Sequence, residues 1–108
     1  MAKAWIEWER KVSSMLRGGR SVLSRGVDVT SYVGDIRIGV SCKYGIFGIR
    51  KKDLQEISIL CKEHRYDISV LATKERGGKY ELVTMPLEDF AKILDTLRDK
   101  EDICNGNK

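Results

Sequence analysis

Glu9-Arg10 near the N-terminus, Asp35 after Gly34, and the run Ser41-Cys42-Lys43 are residue types that together could cleave a phosphodiester bond. A carboxylate can hold a divalent cation, a second oxygen can complete its shell, and an ammonium can position water or neutralise the phosphate in the transition state. Glu9 and Asp35 are the candidate metal ligands, with Asp28 as the alternate to Asp35, and Lys43 is the candidate cation at the phosphate. Ser41 stands where a second strand acid, two residues before the lysine, belongs in such a site. Its hydroxyl can hold a metal-bound water but brings no charge.

These residues need elements to position them. From Ala4 to about Arg17, Trp5, Trp8, Val12 and Leu16 recur at helical spacing, and Gly18-Gly19 stops the helix. With Trp5 at zero and ~100° per residue, Leu16, Val12 and Trp8 fall at roughly +20°, −20° and −60°. Glu9 falls near +40°, inside the apolar stripe, whereas Glu7 sits near 200° on the opposite face. A carboxylate among tryptophans is costly to bury. Glu9 is therefore either an acid at the stripe edge paired with a lysine or arginine, or one turned toward a metal site on a sheet.

Asp35 to Lys43 alternates, with Ile36, Ile38, Val40 and Cys42 on one side and Asp35, Arg37, Gly39, Ser41 and Lys43 on the other. As one straight strand at ~3.3 Å per residue, it would hold Asp35 and Lys43 about 26 Å apart. Asp35 can share a site with Lys43 only if the chain bends near Gly39. Alternatively Gly34-Asp35 is the turn of a hairpin, and Asp28 on the preceding segment faces Ser41. Sequence physics leaves both open. Lys43 could also be a charge on an edge strand.

The remaining elements read in order. Ser21 to Ser24 is a short strand candidate, Arg25 to Val33 reads as irregular and polar, and Tyr44 to Ile49 as loop and short strand. Lys52 to about His64 is helical, and Ile68–Thr73 and Tyr80–Met85 flank a Gly77-Gly78 hairpin turn. Pro86 followed by Glu88-Asp89 opens a last helix. The pattern predicts an α/β (α+β) fold in which a central mixed sheet is flanked by helices. One domain over residues 1–98 and a flexible polar tail over 99–108 complete it.

Composition narrows the function classes. A net charge of +4 is mild, so the clusters carry the information: Arg17, Arg20 and Arg25; Arg50-Lys51-Lys52; Lys74, Arg76 and Lys79. Clusters in loops and at element ends suit phosphate contacts, as Arg10 would beside Glu9, although each is also a solvating surface. No apolar run approaches the ~20 residues of a membrane span. The N-terminal residues show no signal-peptide pattern, which places the expected compartment in the cytoplasm. Cys42, Cys61 and Cys104, with His64 alone to join them, do not have structural-zinc spacing. Cys42 and Cys61 read as buried apolar residues.

Taken in order, Trp8-Glu9-Arg10, Gly18 to Arg20, Gly34-Asp35, Ser41-Cys42-Lys43-Tyr44, the basic helix start and Pro86-Leu87-Glu88-Asp89-Phe90 resemble one known group. This is the Holliday junction resolvase-like nucleases of the restriction-endonuclease-like, PD-(D/E)xK superfamily, found in archaea, phages and other viruses. The resemblance spans residues 4 to about 95. It implies an αβββαβ core, dependence on Mg²⁺ or Mn²⁺ with no small-molecule cofactor, and a homodimer that cuts branched DNA in recombination and repair. By position it makes Glu9 the first-helix acid, Asp35 the motif aspartate, Ser41 the replacement of the usual glutamate, and Lys43 the motif lysine. The interval from Asp35 to Ser41 is shorter than the family's, and that from Asp28 is more typical. Two functions follow as expectations: a metal-dependent endonuclease, or a catalytically inactive DNA-binding or assembly module on the same fold.

Overall fold

The computed structural model describes residues 4–20, 26–45 and 49–105, the last six as backbone alone. The elements are α1 (Ala4–Met15), β1 (Gly19–Arg20), β2 (Val29–Val33), β3 (Ile36–Tyr44), α2 (Lys51–Glu63), β4 (Ile68–Lys74), β5 (Glu81–Thr84) and α3 (Leu87–Asn105). The five strands form one sheet in the order β1-β2-β3-β4-β5. Only the β3–β4 pair is parallel, with α2 as its crossover; the other pairs are antiparallel. Three helices on a mixed five-stranded sheet make an α/β fold, and its first six elements follow the expected αβββαβ order.

Each face of the sheet has its own core. Trp8 and Val12 of α1 pack on Val29, Ile38, Val40, Ile68, Val70 and Ala72, and Ile93 of α3 joins them. Burial of side chains this size contributes about 1.5–3 kcal/mol each. Trp8 can go inside because its Nε1 donates to the Ala72 carbonyl at 3.3 Å. On the opposite face Ile57 and Cys61 of α2 pack with Val27 and Tyr66. A Cβ at Gly39 would stand 2.7 Å from the Cys61 sulfur, so the glycine lets α2 approach the sheet closely. It does not bend the strand: β3 runs unbroken through Gly39.

Two expectations change here. The segment read as irregular contains β2, joined to β3 by the two-residue turn Gly34-Asp35 with Val33 opposite Ile36. Gly34 has φ +58°, the left-handed value that a glycine-first hairpin turn requires. The tail expected to fray from Asp99 is instead helical, because α3 continues to Asn105. No glycine or proline interrupts that stretch before Gly106, so the stop signal lies at Asn105-Gly106 rather than at Asp99. The strand expected at Ser21–Ser24 and the loop residues Ile46–Gly48 lie outside the described residues; the strand at this point is the two-residue β1.

Candidate active site

α1 carries Glu9 against the sheet, and the buried residues of the helix are Trp8, Glu9 and Val12. They span the middle of the predicted stripe. Trp5 and Leu16, expected inside it, are exposed. Glu9 is thus an acid inside an apolar contact surface, and the Arg20 guanidinium of β1 lies 3.7 Å from its Oε2. Burial raises the Glu9 carboxyl above the usual range, Asp28 raises it further, and Arg20 offsets part of the rise.

Asp28 reaches the same place from the hairpin. Val29 lies opposite Val40, so the register carried one residue outward sets Asp28 opposite Ser41. Its amide donates to the Val40 carbonyl at 2.8 Å, and its Oδ2 accepts from the Cys42 amide at 2.7 Å. Val27 and Val29 would share a face of a regular strand, yet they pack in opposite cores. The chain therefore leaves strand geometry at Asp28, where the side chain closes the ladder in place of a backbone carbonyl. Asp67 and Asp89 do the same elsewhere, accepting from the Arg37 amide at 2.8 Å and the Ser69 amide at 3.1 Å. Asp28 differs in its neighbours. Burial raises its carboxyl, while the Cys42 hydrogen bond, Lys43 and Arg20 offset part of the rise.

Asp28 is thus the link: it neighbours Glu9 and Arg20 on the α1 side and also feels Lys43, which by alternation along β3 belongs to the other side of the strand from Cys42. Burial pushes the Cys42 thiol up to about 12, with both carboxylates adding to the shift, so it is a neutral thiol in ordinary buffer. Cys42 is half-buried and Cys61 buried, both as free thiols. Ser41 is buried, opposite Leu71 of β4. β3 lies between β2 and β4, but β2 pairs it only as far as Val40, so at Lys43 it is paired with β4 alone, opposite Thr73, and the edge-strand reading of that lysine keeps its footing. Among the described residues no three or more His, Cys, Asp and Glu side chains are placed to hold a metal ion together.

Asp35 stands apart from Glu9 and Asp28. It is exposed in the β2–β3 turn, at the far end of β3 from Lys43. At ~3.3 Å per residue the two are about 26 Å apart, and the unbroken strand removes the bend that could have joined them. The structure brings Asp28, the alternate, to Glu9 instead.

The basic residues divide by place. Arg10 and Arg17 are exposed on and just after α1, and Arg20 serves Glu9. Arg50 precedes α2 and donates to Asp53 at 2.6 Å, with Lys51 and Lys52 exposed beside it. Arg25 lies outside the described residues. Sequence reasoning offered Glu9 as an acid paired with a lysine or arginine but assigned Arg20 to DNA contact, because the pairing of the two forms only when β1 and α1 meet. The Cys42 amide as anchor of Asp28 was also missed; the two-residue turn, which fixes Asp28 opposite Ser41, was the available signal.

No family model matches this chain, and a search of the curated proteins finds no match. No helix among the described residues is long and apolar enough to cross a membrane.

Proposed function

We propose that this chain is a metal-dependent endonuclease acting on DNA, with Glu9 and Asp28 as the metal-binding pair and Lys43 as the cation at the scissile phosphate. One observation carries the reading. Burial raises the carboxyls of both Glu9 and Asp28, Asp28 adds to the rise at Glu9, and Arg20, 3.7 Å from Glu9, offsets part of the rise in both. Such a pair is unfavourable by itself and gains most from a bound cation.

The donor set fits Mg²⁺ or Mn²⁺. Such an ion takes one or two protein carboxylates and leaves its other positions to water and substrate phosphate, so two acids suffice where three are absent. When bound, it supplies Lewis-acid polarisation of the phosphate and a more acidic water. The chain's own residues do the rest. The Cys42 amide fixes Asp28, Arg20 steadies Glu9, and Lys43 brings positive charge toward the phosphate. Ser41 offers a hydroxyl in place of a third acid. Arg10, Arg17 and Arg50 to Lys52 supply exposed cations for the DNA backbone. Branched DNA is the substrate that the resemblance implies, and the cytoplasm is the compartment proposed for it.

A second reading has its own observation: the missing acid at Ser41. On that reading the chain binds DNA without cutting it. Incubation with Mg²⁺ or Mn²⁺ on a four-way junction, a linear duplex and a single strand, each with an EDTA control, separates the two. Metal-dependent cleavage strongest on the junction is expected. Binding that survives EDTA, with no cleavage of any form, would leave the binding module.

A further inference from the structure

β4 and β5 run past their last paired residues, Lys74 and Glu81, into a hairpin tip at residues 75–80. The tip stands at the Lys43 end of the sheet. Lys43 is opposite Thr73, Thr73 is opposite Leu82 in turn, and the Gly45 amide donates to the Lys74 carbonyl at 2.8 Å. A Cβ at Gly45, two residues after Lys43, would lie 4.0 Å from the Arg76 Nε, so the Arg76 side chain rests against the end of β3.

The tip also turns its aromatic ring toward the lysine. Glu81 takes Lys11 of α1 at 2.8 Å and Lys74 at 3.1 Å, which puts it on the α1 side of the sheet. Alternation carried one residue outward sends Tyr80 to the opposite side, the one that Lys43 shares. On ~4.8 Å per strand and ~3.3 Å per residue, the Cα atoms of Tyr80 and Lys43 are roughly 12 Å apart. Tyr80 is 76% exposed and belongs to neither core, and Arg76 and Lys79 are exposed beside it.

We infer that this tip binds an unpaired nucleotide of the DNA strand next to the phosphate at Lys43, with Tyr80 stacked on its base and Arg76 and Lys79 at the adjoining phosphates. The inference rests on the endonuclease reading for the place of the scissile phosphate. The chemistry of the tip selects the ligand. An exposed ring among cations serves base stacking and backbone neutralisation together, and any base has a face to stack. A base inside a linear duplex has both faces covered by its neighbours, so Tyr80 can take only one that has left the stack, as at the centre of a branched DNA. An acidic peptide would meet the same cations, but the negative face of the ring repels its carboxylates. Arg50 to Lys52 then serve any phosphate backbone, whereas Tyr80 reads whether the strand is paired.

Fluorescence anisotropy of the full chain in EDTA tests it, on a linear duplex and on a splayed duplex carrying 2-aminopurine at its first unpaired position. Wild type should bind the splayed duplex more tightly and quench the 2-aminopurine. Tyr80→Ala should weaken splayed-duplex binding by about 5- to 100-fold, lose the quenching and leave linear-duplex binding unchanged. Tyr80→Trp, which keeps a ring to stack, should bind like wild type. So should Tyr32→Ala, whose tyrosine is 64% exposed at the other end of the sheet, beside the Gly34-Asp35 turn. Both tyrosines are largely outside the packed structure, so every variant should stay folded by circular dichroism. Equal affinity of wild type for the two DNAs overturns the inference. So does a Tyr80→Ala chain that still quenches and binds like wild type, or one that loses both DNAs by the same factor. Failure of the endonuclease reading shows differently: the Tyr80-dependent preference is then present, yet wild type cuts neither DNA when Mn²⁺ replaces EDTA.

Discussion

Replacing Asp28 by asparagine keeps the shape of the site and removes one charge, which separates its structural job from its proposed metal job. The structural job is the 2.7 Å hydrogen bond from the Cys42 amide. Asparagine can still accept it, and the change from a charged to a neutral acceptor costs about 1 kcal/mol. Relief of a desolvated carboxylate beside Glu9 opposes that loss, so metal-free stability should change by less than about 1 kcal/mol. The metal job gives a larger signal. Mn²⁺ at ten times its dissociation constant adds about 1.4 kcal/mol to wild-type stability. For a domain of this size that raises the melting temperature by about 6–11 °C. If Asp28→Asn weakens binding tenfold, the same concentration adds only about 0.4 kcal/mol, or roughly 2–3 °C. Calorimetric melts with Mn²⁺ and with EDTA read both quantities. Asp35→Asn, in the exposed turn, should keep the full shift. A shift undiminished in Asp28→Asn, or lost in Asp35→Asn, would refute the assignment of the acid.

Three further outcomes are expected. Because Glu9 and Asp28 are both raised, the native state holds more protons than the unfolded state above the ordinary carboxylate pKa of ~4. That stability is fully present below ~4 and is lost as pH rises through the raised values. In EDTA, the advantage of Glu9→Gln over wild type in urea unfolding should therefore grow with pH, and an advantage that shrank would contradict the shift. Ser41→Glu adds an acid at a buried position opposite Asp28, so it should tighten Mn²⁺ binding at least tenfold while lowering metal-free stability by about 1–3 kcal/mol; isothermal titration and urea melts check both. Alanine at Arg50, Lys51 and Lys52 together should weaken junction and duplex binding alike and lower the slope of log affinity against log salt by up to about 3. Fluorescence anisotropy across a salt series would show an unchanged slope if these residues do not meet phosphate.

The elements with strong periodicity were legible before the fold was known. β3 alternates over its whole length, α2 and α3 repeat at helical spacing, and Pro86 marks the start of α3 at Leu87. β2 was not, because Thr30, Ser31 and Tyr32 dilute its apolar residues, and only pairing with β3 makes it a strand. The site was half legible. Glu9 could be picked out because helix geometry set it in an apolar stripe, and Lys43 because it closes an apolar strand. Choosing between Asp28 and Asp35 needed the register, a tertiary property that turns on whether Gly34-Asp35 is a tight turn.

Single-turnover cleavage of a labelled four-way junction in Mn²⁺, run on wild type, Asp28→Asn, Asp35→Asn and Lys43→Ala with junction binding measured in parallel, tests the central claim most directly. The account predicts that wild type and Asp35→Asn cut at similar rates, and that Asp28→Asn and Lys43→Ala lose at least a hundredfold, about 2.7 kcal/mol of transition-state stabilisation, while still binding the junction. Cleavage retained in Asp28→Asn and lost in Asp35→Asn, or equal in all four proteins, would contradict it.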